Sequence, residues 1–458
     1  MSVPDTTSIR IAGDITVTVP ASPRLMTTYI LMEQQDWFED EMNFIRSFIK
    51  SGMKVVDVGA NYGCYTLTIA GITGDTGKVW AIEPTETTAI CLRDSIRSND
   101  FNNIELIQAG LSNKSGHAEL FTSENSELNS LSSDAAVGNR HETIKLLTLD
   151  QCSEDYGWNN IDFIKLDAEG EEVNILNGGE ATLATMSPLI MFELKHGDRI
   201  NTPLIKRFNE TGYSCYRLIP GLNILVPFDY TKPFDSFLLN LFCCKEDKAR
   251  QLEESGIIVR EYETTPDPDH GVIDKYLGSL PCAEGIDQQQ EISEKKNVNE
   301  YLDILSAYIM ALQQSTSSHI RIACLMLAKE KMRAMLASGE QDSARLTTFS
   351  RIAFDAGERQ LGVRILGNLI KKHASDINFN LDEMFLPASR KYDDIVPGSR
   401  INAWLMSSII EQYIIKSAYS TFFTRQRMAP LFVGLQRLGY MNEDMQRRYR
   451  LMATCFPQ

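Results

Sequence analysis

Asp57, Glu83, Lys165, Asp167, Glu169, Glu193 and His196 each stand within, at the end of, or just past a short apolar run. Carboxylates and an imidazole gathered at such ends can activate a hydroxyl. Either a base beside the oxygen removes its proton, or a divalent cation held by the carboxylates lowers the alcohol's pKa. In the run IDFIKLDAEG, strand alternation projects Lys165 and Asp167 to one side, so Lys165 is expected to orient Asp167 as the base. Glu193 ends the run PLIMFEL, and His196 follows on the adjoining loop. Both are candidates to assist Asp167, and Asp167 with Glu193 is the candidate metal pair. For His196, a hydrated loop residue is an equally open reading. Glu169, Glu171 and Glu172 fall at a helix start, where the dipole favours anions, so capping accounts for part of this acidity.

Residues 57–63 read DVGANYG. A turn that cradles a pyrophosphate uses G-x-G-x-x-G, whose second glycine lets the backbone approach the phosphates. Asn61 stands at that place here, between Gly59 and Gly63. Asp57, two residues ahead of Gly59, would oppose an anion. It suits a ligand with positive charge, such as the amino-acid part and sulfonium of S-adenosylmethionine. Glu83 lies 20 residues past Gly63 at the end of the next apolar run, where a carboxylate can accept both ribose hydroxyls.

Positioning these groups requires strands that end together. MKVVDVG, KVWAIEP, NIELIQAGL, IDFIKLDAEG and PLIMFEL are continuous apolar runs separated by helical patterns. That is the signature of a parallel sheet covered on both faces. The expected fold is α/β, a doubly wound Rossmann-like sheet with its crevice at the strands' carboxyl ends. YSCYRLI and LLNLFCCK are expected to close the far edge, one of them antiparallel. Residues 1–52 supply an alternating strand segment and a helix from about Trp37 to Lys50. Residues 53–261 form the sheet domain, and 262–297, polar and proline-bearing, a linker. Residues 298–458 read as amphipathic helices, with a tetratricopeptide-like hint at 353–357 but no fixed repeat.

DVGANYGCYTL, AIEP, IKLDAEGEEVNILNG and MFEL, preceded by WFEDEM, resemble the FkbM-type S-adenosylmethionine-dependent methyltransferases in order and spacing over residues 30–245. The resemblance implies a class I methyltransferase sheet and O-methylation of a hydroxyl on a sugar, glycan or related natural product. It implies that Asp57, Gly59, Asn61 and Gly63 line the methionine end and that Glu83 holds the ribose. Asp167 and Glu169 fall in the family's DxEG motif at the reaction site. Cys64, often a small or apolar residue there, carries no catalytic weight. The resemblance does not reach the linker or the helical domain.

Net charge is −16, unevenly spread: residues 319–458 hold 20 Lys and Arg against 13 Asp and Glu, the remainder 25 against 48. An acidic sheet domain argues against a nucleic-acid substrate. The nine cysteines form no C-x-x-C pair, and the chain shows no leader-like start and no run long enough to span a membrane. A cytoplasmic protein is expected. Arg351, Arg359 and Arg364 read as a solvated helix face or as a patch for an acidic partner. The basic helical domain leaves a second reading open, in which it docks a protein or carrier, or joins copies of the chain, and methyl transfer is secondary.

Overall fold

The computed structural model describes residues 5–122, 140–196, 199–262, 266–286, 297–340 and 342–457. The chain divides into two compact units. The first comprises Met1–Leu218, Pro227–Pro233 and Leu238–Glu254; the second comprises Ile219–Val226, Phe234–Phe237 and Ser255–Gln458. The division is not a single cut near residue 262, because two short excursions of the sheet domain belong to the helical unit.

In the first unit the central sheet is built from β1 (Lys54–Val58), β2 (Lys78–Ile82), β3 (Ile104–Ile107), β4 (Phe163–Leu166), β5 (Leu189–Glu193), β6 (Tyr213–Ile219) and β7 (Asn240–Lys245). Their spatial order is β3–β2–β1–β4–β5–β7–β6. β1 to β5 pair in parallel, and β7 runs antiparallel between β5 and β6. Of the two strands expected to close the far edge, β7 is the antiparallel one, and it lies inside the sheet rather than at its edge. Val55, Val56, Val79, Ala81, Phe163, Leu189 and Ile190 are almost wholly buried, as strands covered on both faces require. Strand order reverses on either side of β1, so β1 and β4 bound the crevice where an open parallel sheet places its ligands.

Around this sheet the sequence pattern holds with local corrections. Thr6–Ile11 and Ile15–Pro20 form an antiparallel hairpin. The helix expected from Trp37 begins only at Glu41 and ends at Phe48, leaving Trp37, Phe38 and Glu39 in the loop ahead of it. The single helix expected after DAEG is two, Glu172–Asn177 and Glu180–Thr185, broken at Gly178 and Gly179. A Cβ on Gly178 would lie 2.3 Å from the Ser112 carbonyl oxygen, so the chain must turn there without a side chain. Gly110–Leu111, Gly116–Thr122 and Arg140–Leu147 form a further small sheet that the sequence pattern did not announce.

The second unit is a helical assembly over one apolar core. Val298–Leu312 packs with Ser318–Ala337, and Ser343–Asp355 with Arg359–Lys372; Ile401–Lys416, Ala429–Leu438 and Glu443–Cys455 follow. The segment read as a linker contributes a helix, Gly271–Gly278, whose Ile273 and Leu277 are buried in this core with Tyr301 and Tyr308. Arg351 is not solvated: it is 2% exposed and pairs through both outer nitrogens with Asp393, at 2.8 and 2.5 Å. Arg359 donates to the carbonyls of Lys416 and Ala418 and lies over Tyr419, whereas Arg364 is exposed. The three arginines thus do not form one surface patch. Among the described residues no helix is long and apolar enough to cross a membrane.

Candidate active site

The turn after β1 is shaped by close approach. Gly59 has φ +75°, and a Cβ there would lie 1.8 Å from the Asp167 carbonyl oxygen, so only glycine lets the ends of β1 and β4 meet. Asn61 is also left-handed, at φ +49°. Gly63, at φ +92°, faces Leu92 so closely that a Cβ would come within 2.5 Å of its methyl. It starts the helix Cys64–Thr73. The Gly59 and Ala60 amides both donate to the Ile82 carbonyl at 3.0 Å, tying the turn to the end of β2.

Glu83, just past β2, is buried and completes that tie. Its Oε2 accepts from the Asn61 amide and its Oε1 from the Thr85 amide, each at 3.0 Å. Burial pushes its carboxyl up to about 7, against the pull of those two amides. The Thr85 side chain also donates to this carboxylate.

Asp57 and Lys165 sit opposite each other in the β1–β4 register. Asp57 is fully buried; its Oδ2 accepts from Thr66 Oγ1 at 2.5 Å, while Oδ1 takes no hydrogen bond and lies 3.8 Å from Lys165 Nζ. Lys165 Nζ donates to Asp167 Oδ2 at 2.9 Å, and its ammonium lies 5.3 Å from the centre of the Tyr65 ring. Burial alone would lower the ammonium, but Asp167 and Asp57 outweigh it and hold the lysine charged above its ordinary value. Asp57 is pushed up by burial and drawn back by Lys165 and Thr66. The expected pairing of Lys165 with Asp167 is present, and the Asp167 carboxylate is more than a third exposed at the crevice.

Glu193 ends β5, beside β4, and is half-buried. Burial, with the charges of Asp167, Glu169, Glu172 and Glu39, holds its carboxyl well above the usual carboxylate range. A carboxyl held up in this way favours its protonated form. Glu169, at φ +49°, and Gly170, at φ +102°, turn the chain after Asp167. Glu172 accepts from the Ala168 and Gly170 amides at 3.0 and 3.2 Å, so it shapes that turn as the capping reading expected. His196 pairs through its backbone with Arg199; its side chain lies outside the described residues. Among the described residues no three His, Cys, Asp or Glu side chains gather as a metal-donor set.

Sequence reasoning missed Glu39, Tyr65 and Asn240. Tyr65 Oη donates to Glu39 Oε2 at 2.5 Å, and Asn240 Nδ2 donates to the same oxygen at 3.1 Å. Glu39 lay within the quoted WFEDEM, but nothing local in the sequence linked it to residues on other elements.

These groups coincide with a known domain: residues 57–215 match the family model of the methyltransferase FkbM domain. This stretch is similar to the FkbM methyltransferase domain. The glycine turn, Glu83, Lys165 and Asp167 all fall within the matched residues. Among solved structures, the chain is similar to an FkbM methyltransferase from Methylobacillus flagellatus at 20% identity. That match covers 43% of this chain and 45% of the other, with a TM-score of 0.30, so the chain spans under half the length of that relative. It is also similar to a SAM-dependent methyltransferase from Aquifex aeolicus at 13% identity, covering 47% and 91% of the two chains, TM-score 0.27. A SAM-dependent O-methyltransferase from Thermotoga maritima matches at 12% identity, covering 56% and 79%, TM-score 0.26. No curated protein sequence is significantly similar to the chain.

Proposed function

We propose that the protein transfers a methyl group from S-adenosylmethionine to a hydroxyl of a sugar or glycan. The observation that carries the reading is the pairing at the crevice floor. Asp57 is wholly buried with one oxygen free of hydrogen bonds, beside a lysine that also fixes the exposed Asp167. An unsatisfied buried carboxylate oxygen calls for a cationic or donor group and repels a pyrophosphate.

Asp57, Gly59, Asn61 and Gly63 would hold the methionine end. Glu83 would accept the ribose hydroxyls, and Glu169 would border the same cradle. When bound, the donor supplies an electrophilic methyl on a positively charged sulfur. Lys165 engages Asp167 through Oδ2 and leaves Oδ1 to accept the proton of the acceptor hydroxyl. Glu193, protonated, donates a hydrogen bond to an acceptor oxygen. Most of the rate gain would come from aligning oxygen and methyl rather than from the proton transfer. A polyhydroxylated acceptor suits a rim of carboxyl groups that both accept and donate hydrogen bonds.

The test compares the methylation of cell glycans by mass spectrometry with and without the protein, alongside Asp167→Asn. Loss of a specific O-methyl, restored by wild type and not by Asp167→Asn, supports the reading. Full restoration by Asp167→Asn, with donor binding intact, contradicts the assignment of the base.

A further inference from the structure

Glu39 belongs to the same charge network while lying outside the glycine turn, the strand ends and the residues 57–215 that match the family model. It is held by donors from three parts of the first unit. These are Tyr65 Oη at 2.5 Å, Asn240 Nδ2 at 3.1 Å, and the side chain of Trp37. Burial pushes the Glu39 carboxyl up, while the Tyr65 hydroxyl, the Lys165 ammonium and the Trp37 side chain pull it back toward the ionised form. Tyr65, which Glu39 anchors, presents its ring to Lys165 Nζ at 5.3 Å. Lys165 in turn faces Asp167 at 2.9 Å and the fully buried Asp57 at 3.8 Å. Asp57 Oδ1, with no hydrogen bond, points into this same network. Three carboxylates, Glu39, Asp57 and Asp167, thus share one ammonium, leaving an excess of negative charge beside the crevice.

We propose that Glu39 is a specificity-determining residue for the methyl donor, using this excess charge to favour a cationic sulfonium over the neutral thioether that remains after transfer. The inference rests on the donor reading above. Transfer breaks the carbon–sulfur bond and leaves its electron pair on sulfur. A carbon–oxygen bond forms, and the hydroxyl proton passes to Asp167. The ligand thereby loses its positive charge, and one carboxylate of the network is neutralised. Attraction to the crevice falls at the moment the product must leave. Glu39 acts through its field, since its oxygens are already committed to Tyr65, Asn240 and Trp37.

Calorimetry on the full chain with S-adenosylmethionine and S-adenosylhomocysteine tests this without an acceptor. Glu39→Gln is expected to weaken S-adenosylmethionine by about tenfold relative to S-adenosylhomocysteine, as one charge several ångströms away in a partly buried site should. Glu39→Asp keeps the charge and should hold the ratio of the two affinities within about twofold. An unchanged ratio in Glu39→Gln overturns the proposal, as does an equal loss for both ligands, which would mark Glu39 as a shape residue.

Should Glu39→Gln fail to fold, the wild-type ratio from pH 8 to pH 5 serves instead. Trp37 and Glu41 face Glu39 from its own segment, Tyr65 from the helix Cys64–Thr73, Lys165 from β4 and Asp167 from just past its end. Glu193 faces it from β5 and Asn240 from β7. Protonating the network should shift the ratio toward S-adenosylhomocysteine, while the ribose contacts, common to both ligands, cancel. A flat ratio overturns the proposal. Wild-type protein that binds neither ligand refutes the donor reading itself, a result distinct from binding both without discrimination.

Discussion

Glu83 gives the sharpest quantitative handle on the donor site. Burial raises its carboxyl from the usual 4.5 to about 7 in the donor-free protein. Ribose hydroxyls donate to a carboxylate, so donor binding selects the ionised form and releases a proton. Below pH 7 that proton must first be removed, and one proton costs a factor of ten in affinity per pH unit. Between pH 8 and pH 6 the donor affinity should therefore fall about tenfold. Calorimetry at pH 7 in buffers of different ionisation enthalpy should register release of about half a proton. The same shift has a stability sign. The folded-state pKa lies above the unfolded one, so the group costs nothing below about pH 4.5 and an increasing amount from there to pH 7. The full penalty is about 3 kcal/mol for a shift of this size. Urea unfolding of the donor-free protein should show part of the decline in stability across that window vanish in Glu83→Gln. A donor affinity that is flat from pH 6 to 8, or one that falls equally in Glu83→Gln, would refute the reasoning.

Asp167→Asn should lower methyl transfer about 100-fold or more while changing donor affinity less than about threefold, read by paired turnover and calorimetry. Gly59→Ala forces a Cβ against the Asp167 carbonyl at a positive φ; a cost of at least about 3 kcal/mol in thermal or urea unfolding is expected, with donor binding lost. Arg351→Met strands Asp393 without its bidentate partner, and urea unfolding should report a loss of about 3–5 kcal/mol.

The sheet was legible because its strands are buried on both faces and read as unbroken apolar runs, each ending in a polar residue. Asp57, Glu83, Lys165 and Asp167 were legible for the same reason: strand ends in a doubly wound sheet converge without any long-range pairing rule. Glu39 was not, because its bond to Asn240 joins residues 201 apart and neither type is unusual in its place. Arg351 was misread for a related reason. Its helix is polar enough to look solvated, and its partner Asp393 comes from a short 3-10 turn that carries no periodic signal. Gly178 ended a helix that its neighbours' propensities would have continued, through contact with a carbonyl from a distant loop. Glu193 was placed correctly at its strand end, but its charge depends on how many carboxylates surround it, which spacing alone does not reveal.

The central claim is that the turn DVGANYG holds S-adenosylmethionine with Asp57 beneath it. Titration of the full chain with S-adenosylmethionine, and with a nicotinamide dinucleotide as contrast, tests it most directly. The account predicts saturable binding of S-adenosylmethionine alone, lost in Asp57→Ala. No binding, binding unchanged in Asp57→Ala, or preference for the dinucleotide would contradict it.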